Sequence, residues 1–230
     1  MADVLVVGGT GDIGRALAEW FVARGDDVVV TGRDEHRTAS VAAEVGPGVR
    51  SLVLDLGDPR SLESRLAPVG EVDHLVLAAA DPRPNSLETF DVDLAVAAVT
   101  LKLVGYAEVV HVLRDRMRPG GSVVLFGGLA KERPFPGSLV VSASNGGISG
   151  LTRSLAREIA PLRVNAIHPA VVGNSPKWRD VPAERLPGAL TTPIGRLVTR
   201  EEVVDAVDFL LRNGGVNAVD LHLDGGLLIT

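Results

Sequence analysis

The sequence has no cysteine, and only 3% of its residues are aromatic. The lack of thiols excludes disulfides, thiolate metal sites and cysteine nucleophiles, and we predict no metal centre. It also fits the reducing cytoplasm, which is the location we predict. With one tyrosine, Tyr106, and few other rings, the core must be built from Val, Leu, Ala and Ile. Those residues fill parallel sheets that are covered on both faces.

Basic blocks are absent as well, and the formal net charge is −6. This balance argues against binding to nucleic acid. No apolar run approaches the length of a membrane span, and a first strand that begins at about residue 3 leaves no room for a signal peptide. We therefore predict neither a nucleic-acid partner nor a membrane partner.

Strand-like and helix-like segments alternate along the whole chain. This alternation predicts a single α/β domain over residues 1–230, a Rossmann-type, doubly wound parallel sheet of about seven strands with helices on both faces. The predicted strands lie near 3–8, 27–31, 49–54, 73–78, 121–126, 162–167 and 218–223. The predicted helices lie near 12–24, 34–45, 59–66, 90–117, 140–159 and 200–212.

One stretch, 173–196, is long for a connection within a compact domain and holds four prolines. We interpret it as a substrate lid, with a passive surface loop as the alternative. Its apolar residues are candidates for the wall of an apolar pocket: Trp178, Val181, Leu186 and Leu190.

Three glycines recur at every third residue where the first strand turns into the first helix. Gly8 allows the sharp turn, Gly11 lets the backbone approach phosphate oxygens, and Gly14 lets the helix pack close to the strand. The amides of such a helix start can hold a pyrophosphate. The loop therefore predicts a dinucleotide cofactor, held here by Gly8, Thr10, Gly11, Asp12, Ile13 and Gly14.

The residue after the second strand selects between the two pyridine dinucleotides. Arg33 stands there, and its guanidinium suits a 2′-phosphate, so NADP(H) is favoured over NAD(H). Asp34 and Asp12 bring negative charge and act against this preference, and a solvated arginine is the alternative reading. Asp55 and Leu56 follow the third strand and are placed for the adenine edge, although Asp55 is nearly as well explained as a turn residue.

From these residues onward the chain resembles the short-chain dehydrogenase/reductase family over almost its whole length. The resemblance implies NAD(P)(H) binding, a small-molecule substrate and a homodimer or homotetramer. It also implies that Ala78, Ala79, Ala80, Pro169, Val172 and Asn174 contact the cofactor, the last three near the nicotinamide. The matching segments are Gly8–Gly14, Asp73–Val76, Pro119–Val124, Leu151–Glu158, Arg163–Pro169, Pro193–Arg196 and Asp224–Gly226.

At the family's catalytic positions the sequence departs from the pattern. Val141 and Asn145 stand at the tyrosine and lysine positions, Gly128 at the serine position, and Lys102 at the asparagine position. Valine cannot donate a proton and glycine has no hydroxyl to hold a carbonyl oxygen. The resemblance therefore implies a divergent member in which the usual proton relay cannot operate.

Three residues are candidates to replace that relay. Lys102 can donate a proton or stabilise an alkoxide, and a surface lysine is its alternative. Asn145 can bond the nicotinamide ribose, or simply satisfy nearby backbone. Ser144 offers a hydroxyl, although capping or packing explains it better. Weaker candidates are Tyr106, one helical turn after Lys102, together with His168 and Lys131.

Three functions remain open from the sequence. The leading prediction is an NADP(H)-preferring oxidoreductase with an atypical site, acting on a small or medium apolar carbonyl, alcohol or imine. An iminium substrate arrives already protonated, which removes the need for an acid. The alternatives are a non-redox dinucleotide-binding or regulatory protein, and a non-redox cyclase or dehydratase that uses the same pocket.

Overall fold

The computed structural model describes residues 1–81, 83–176, 179–180 and 192–230. Its strands form one parallel sheet in the order β3-β2-β1-β4-β5-β6-β7, which confirms the predicted fold class. Every predicted strand is present, with bounds shifted by a few residues. The strands are β1 Asp3–Val7, β2 Asp27–Gly32, β3 Arg50–Val53, β4 Val72–Leu77, β5 Met117–Phe126, β6 Arg163–Pro169 and β7 Asp220–Leu223.

Helices cover both faces of the sheet. The segment predicted as one helix over 90–117 is continuous but changes pitch, because a π-helical turn, Thr100–Gly105, joins α4 to α5. Single π-turns in α-helices frequently mark functional sites. The α-helices are α1 Asp12–Ala23, α2 Glu35–Val45, α3 Leu62–Leu66, α4 Val92–Val99, α5 Tyr106–Leu113, α6 Leu139–Glu158 and α7 Arg200–Arg212.

Two apolar cores lie on opposite faces of the sheet. In β1, Leu5 and Val7 point to the core shared with α3, α5 and α6. Val4 and Val6 point to the core shared with α1, α2 and α7. Because successive strand residues face opposite ways and both ways are buried, the central strand β1 is apolar at consecutive positions from Val4 to Val7, as is typical of parallel sheets.

One helical stretch among the described residues, Val92–Arg116, is long and apolar enough by composition to span a membrane, with a mean hydropathy of 1.6 over its most apolar window. The expectation that no apolar run approaches that length is therefore wrong. The apolar character has another cause, because the second half of this stretch is a core helix. Its residues Tyr106, Val109, Val110 and Leu113 are wholly buried.

The sheet order reverses between β1 and β4: the chain runs outward from β1 through β2 to β3, then returns to β4 on the other side. Ligands of such sheets bind beyond the carboxyl ends of the strands at this reversal. The predicted lid, 173–196, lies partly outside the described residues. All four of its wall candidates lie outside them: Trp178, Val181, Leu186 and Leu190.

Candidate functional site

A cavity of about 870 Å³ opens where the carboxyl ends of the strands meet. On the β1–β2 side it is lined by the glycine-rich loop and the start of α2. On the β5–β7 side it is lined by the loop after β5, the segment after β6 and the C-terminal turn. Of the residues predicted to bind cofactor, the following line it: Gly8, Thr10, Gly11, Asp12, Ile13, Gly14, Arg33, Leu56, Ala78, Ala79, Ala80, Asn145, Pro169 and Val172.

The glycine-rich loop leaves no space for side chains at two of its glycines. Gly8 has a φ of +86°, and a Cβ there would lie 2.6 Å from the backbone nitrogen of Ala79. A Cβ at Gly14 would lie 2.2 Å from the carbonyl oxygen of Gly8. The Gly11 amide donates to that same oxygen at 3.0 Å. The loop is thus packed backbone to backbone, which leaves its outer surface open to a phosphate.

Asp12 places a carboxylate in this loop, and an arginine from α7 balances it. Arg200 Nη1 donates to Asp12 Oδ1 at 3.0 Å. The charge that acts against a diphosphate is therefore paired with a cation.

Two arginines, Arg33 and Arg37, line the cavity at the end of β2. Both are exposed, and Arg37 Nη2 donates to the carbonyl oxygen of Thr10 at 3.0 Å. The carboxylate of Asp34 caps the N-terminus of α2, where it accepts a hydrogen bond from the Arg37 amide at 2.7 Å. Sequence reasoning missed Arg37, although its spacing of four from Arg33 at a helix start was the available signal.

The side of the cavity that we predicted to face the adenine is apolar. Leu54 and Leu56 line the cavity, whereas Asp55 is exposed and its carboxylate accepts from the Gly57 amide at 2.9 Å. Asp55 does not line the cavity, so the geometry is that of a turn residue.

Asn174 is predicted near the nicotinamide, but both polar atoms of its side chain form hydrogen bonds with the start of α7. Its oxygen accepts from the Arg200 amide at 2.9 Å, and its nitrogen donates to Glu201 at 2.8 Å. Asn174 thus helps to hold the start of α7 and does not line the cavity.

Gly128 and Asn145 are fitted to each other. Asn145 is buried and lines the cavity, and a Cβ at residue 128 would lie 2.7 Å from its Nδ2 atom. The amide of Asn145 therefore occupies the space that a side chain at residue 128 would need. Ser144 is placed differently, because its buried hydroxyl donates to the carbonyl oxygen of Val140 at 2.8 Å within its own helix.

Lys102 is buried in the π-turn, with only 6% of its surface exposed. Its Nζ lies 5.3 Å from the ring centre of Tyr106, and no hydrogen bond or ion pair joins it to any described residue. Burial lowers the pKa of Lys102 to about 8, because a low-dielectric interior disfavours the ammonium. Lys102 does not line the cavity, although its neighbour Leu101 does.

The side chains of Tyr106 and Lys131 already have hydrogen-bond or ion-pair partners. The Tyr106 hydroxyl donates to the carbonyl oxygen of Ala79 at 2.7 Å, and burial raises its pKa. Lys131 Nζ lies 3.0 Å from Glu132 and 3.8 Å from Asp220. Neither side chain is poised to deliver a proton to the cavity.

His168 is wholly buried and supports the wall beside Gly128. The Gly128 amide donates to His168 Nδ1 at 3.2 Å, and Nε2 lies 2.9 Å from Asp220 Oδ1. Because Nδ1 accepts, Nε2 carries the hydrogen and donates to Asp220. Burial lowers the pKa of His168. Both ring nitrogens are therefore engaged, and His168 is a histidine fixed by hydrogen bonds.

Sequence reasoning did not find the far wall of the cavity. The loop after β5 carries no motif, and the family match at Asp224–Gly226 does not indicate a cavity wall; only the fold brings the two segments together. Their lining residues are Leu129, Ala130, Arg133, Pro134, Phe135 and Leu227.

Fold and cavity together define a Rossmann-type dinucleotide-binding protein. A family model described as enoyl-(acyl carrier protein) reductase matches residues 9–228. The chain belongs to the short-chain dehydrogenase/reductase family, as the sequence resemblance indicated.

Its relatives with curated names match over nearly their whole length. The chain is 31% identical to 3-oxoacyl-(acyl-carrier-protein) reductase FabG of Salmonella typhimurium, over 97% of this chain and 96% of the relative. It is 32% identical to L-xylulose reductase of Mesocricetus auratus, over 98% and 96%.

Solved structures show the same fold. A short-chain dehydrogenase/reductase family protein superimposes with a TM-score of 0.87 at 33% identity, over 100% of this chain and 98% of the other. The MalC reductase/Diels-Alderase from Malbranchea aurantiaca gives 0.88 at 26% identity, over 99% and 96%.

Proposed function

We propose that the protein is an NADP(H)-preferring oxidoreductase with an atypical active site, acting on a small or medium apolar carbonyl, alcohol or imine. The supporting observation is one continuous cavity that joins the glycine-rich loop, two arginines and an apolar chamber. The loop fits a diphosphate, because its two tightest glycines pack against backbone with no room for a Cβ, and the loop as a whole lines the cavity. The nicotinamide, when bound, supplies or accepts the hydride.

The cofactor preference rests on Arg33 and Arg37. Both reach the cavity at the end of β2, the side where the adenosine ribose of such cofactors lies. Two guanidinium groups suit a phosphate dianion better than a ribose hydroxyl. The carboxylate of Asp34 is bonded to the helix start and does not offset them.

Arg37→Gln is expected to raise the Kd for NADP⁺ by about tenfold, and to change that for NAD⁺ by less than about threefold, because only the 2′-phosphate is lost as a partner. Titration calorimetry measures both. Arg157→Gln, an exposed arginine on α6, is the matched control. An equal loss for both dinucleotides would instead assign Arg37 to holding the Thr10 loop.

The chemistry differs from that of a tyrosine-based relay. Val141 and Gly128 offer no hydroxyl, so the proton must come from another group or from the substrate itself. Asn145 is the polar side chain that reaches the cavity on the α6 side, and its amide can orient a ribose hydroxyl or a substrate oxygen.

Lys102 is the proposed proton source. A pKa of about 8 leaves its ammonium charged near neutrality yet able to release a proton. Lys102 does not line the cavity, whereas its neighbour Leu101 does, so we propose that water relays the proton from Nζ to the ligand. An imine that arrives protonated would need no proton from Lys102, because hydride addition to an iminium gives the neutral amine directly.

The proposal is tested by NADPH consumption with a panel of apolar ketones, aldehydes and cyclic imines. Turnover on at least one member supports it, and product formation must match NADPH loss. Lys131→Met is the matched control, because Lys131 is paired with Glu132 and should not affect the rate. NADP⁺ binding without turnover on any member would favour the second candidate, a non-redox dinucleotide-binding protein, which the missing hydroxyls at residues 128 and 141 support.

We also propose a cytoplasmic homodimer or homotetramer. The helix α4 has no buried residue, and its valines, with one from the π-turn, form an exposed apolar face that association would cover. The four valines are Val92, Val96, Val99 and Val104. Light scattering after size exclusion is expected to give at least twice the chain mass of 24.0 kDa. A monomer at micromolar concentration would contradict this.

A further inference from the structure

The charged residues of the cavity are divided between its two ends. Arg33, Arg37 and Asp12 lie on the β1–β2 side, where the cofactor's phosphates and ribose are proposed to bind. Among the described residues that line the β5–β7 side, Arg133 is the charged one. Its neighbours in that wall are mostly apolar, so its charge meets little competition there.

Arg133 is held in place without being neutralised. Its Nη1 donates to the carbonyl oxygen of Leu227 at 2.8 Å and to the Thr230 hydroxyl at 3.2 Å. Asp224 caps the same C-terminal turn by accepting from the Gly226 and Leu228 amides. The guanidinium is therefore positioned at the wall that Leu227 completes.

The rest of the Arg133 guanidinium has no partner in the described part of the chain. Nε and Nη2 make no hydrogen bond, and no carboxylate lies within ion-pair distance. An arginine fork with two free donor sites matches the two oxygens of a carboxylate. Arg133 is exposed and lines the cavity, so these donor sites are accessible to a ligand there.

We propose that the substrate end of the cavity takes an apolar compound bearing a carboxylate, with Arg133 binding the carboxylate. This inference rests on the proposed function and narrows it, since the carbonyl, alcohol or imine would belong to an organic acid. The apolar walls formed by Leu129, Phe135 and Leu227 would enclose the hydrocarbon part.

The test uses the protein saturated with NADP⁺ and two probes of equal shape, hexanoate and hexanamide, titrated by calorimetry. Hexanoate is expected to bind at least about tenfold more tightly, since only it gains a charge-assisted bond. Arg133→Gln should reduce this ratio to below about twofold, and Arg133→Lys should retain part of it because the charge remains. Arg157→Gln, outside the cavity, should leave the ratio unchanged.

The NADP⁺ affinity of each variant is measured alongside and reports whether the site remains folded. Equal affinity for acid and amide, undetectable binding of both, or a ratio that survives Arg133→Gln would overturn the inference while NADP⁺ binding stands. Loss of the ratio together with NADP⁺ affinity in Arg133→Gln, but not in Arg133→Lys, also counts against it, because Arg133 would then hold the fold. Failure of the unaltered protein to bind NADP⁺ would overturn the proposed function as well.

Discussion

Lys102→Met is expected to make the protein more stable by about 3 kcal/mol near neutral pH. The pKa of Lys102 falls from 10.5 to about 8 on folding, and each unit corresponds to about 1.4 kcal/mol of disfavoured charge. Methionine fills nearly the same space without a charge, and Lys102 has no described ion-pair partner to lose. Urea denaturation at neutral pH measures the difference in free energy of unfolding.

The sign of this effect fixes its pH dependence. Above 10.5 the amine is neutral in both states and carries no charge penalty. As the pH falls from 10.5 to about 8 the unfolded chain takes up the proton first, so the folded state loses relative stability; below about 8 the penalty is constant. The gain from Lys102→Met should therefore shrink as the pH rises above about 8. A gain of equal size at every pH would assign it to packing instead.

The same variant should lose activity. If Lys102 is the proton source, NADPH consumption on a ketone should fall by at least about a hundredfold, the usual contribution of a general acid. In the unaltered protein the rate of ketone reduction should decline as the pH rises through about 8. A more stable variant with full activity on ketones would remove Lys102 from the mechanism, and Lys131→Met should show neither change.

Gly14→Ala is expected to have the second large effect. The new Cβ would lie 2.2 Å from the Gly8 carbonyl oxygen and 2.9 Å from the Gly9 Cα. These are backbone atoms, so the strand–helix turn itself must move. Because the Cβ is forced against backbone, we expect a loss of stability of about 3 kcal/mol or more, and a Kd for NADP⁺ raised by at least about a hundredfold.

Gly150→Ala is the matched control for this substitution. Gly150 also lies in a helix, is exposed, and has no atom within 4 Å of an added Cβ. Alanine there should stabilise the protein by about 1 kcal/mol through helix propensity alone, with NADP⁺ affinity unchanged. Normal NADP⁺ binding by Gly14→Ala would show that the loop geometry is not what holds the cofactor.

The fold could be predicted because its determinants are local. Each buried strand is a short apolar run, and each turn is marked by Gly, Asp or Pro, so periodicity located the elements. The spacing of Gly8, Gly11 and Gly14 is likewise local, and it predicted the glycine-rich loop. Family resemblance added the nicotinamide side, where Pro169 and Val172 indeed line the cavity.

What escaped prediction depends on contacts between distant segments. The side chain of Asn174 bonds to Arg200 and Glu201, more than twenty residues away. Arg133 meets the C-terminal turn across ninety-four residues. The fit of Asn145 into the space beside Gly128 also depends on the fold, because neither segment's sequence indicates that the two residues will be in contact. Hydrophobicity patterns do not encode such pairings.

The catalytic roles of Lys102, Asn145 and Ser144 stay predictions, and the structure supports them unequally. Lys102 and Asn145 are both buried; Asn145 lines the cavity, as does Leu101, the neighbour of Lys102, and both residues therefore stay in the proposed chemistry. The hydroxyl of Ser144 is bonded to its own helix, so its proposed catalytic role has no geometric support.

Titration calorimetry with NADP⁺ and NAD⁺ on the unaltered protein tests the central claim most directly. We expect a measurable heat with NADP⁺ and a Kd at least about tenfold lower than for NAD⁺, because of Arg33 and Arg37. Absence of heat with either dinucleotide would contradict the account of the cavity, and tighter binding of NAD⁺ would contradict the role given to the two arginines.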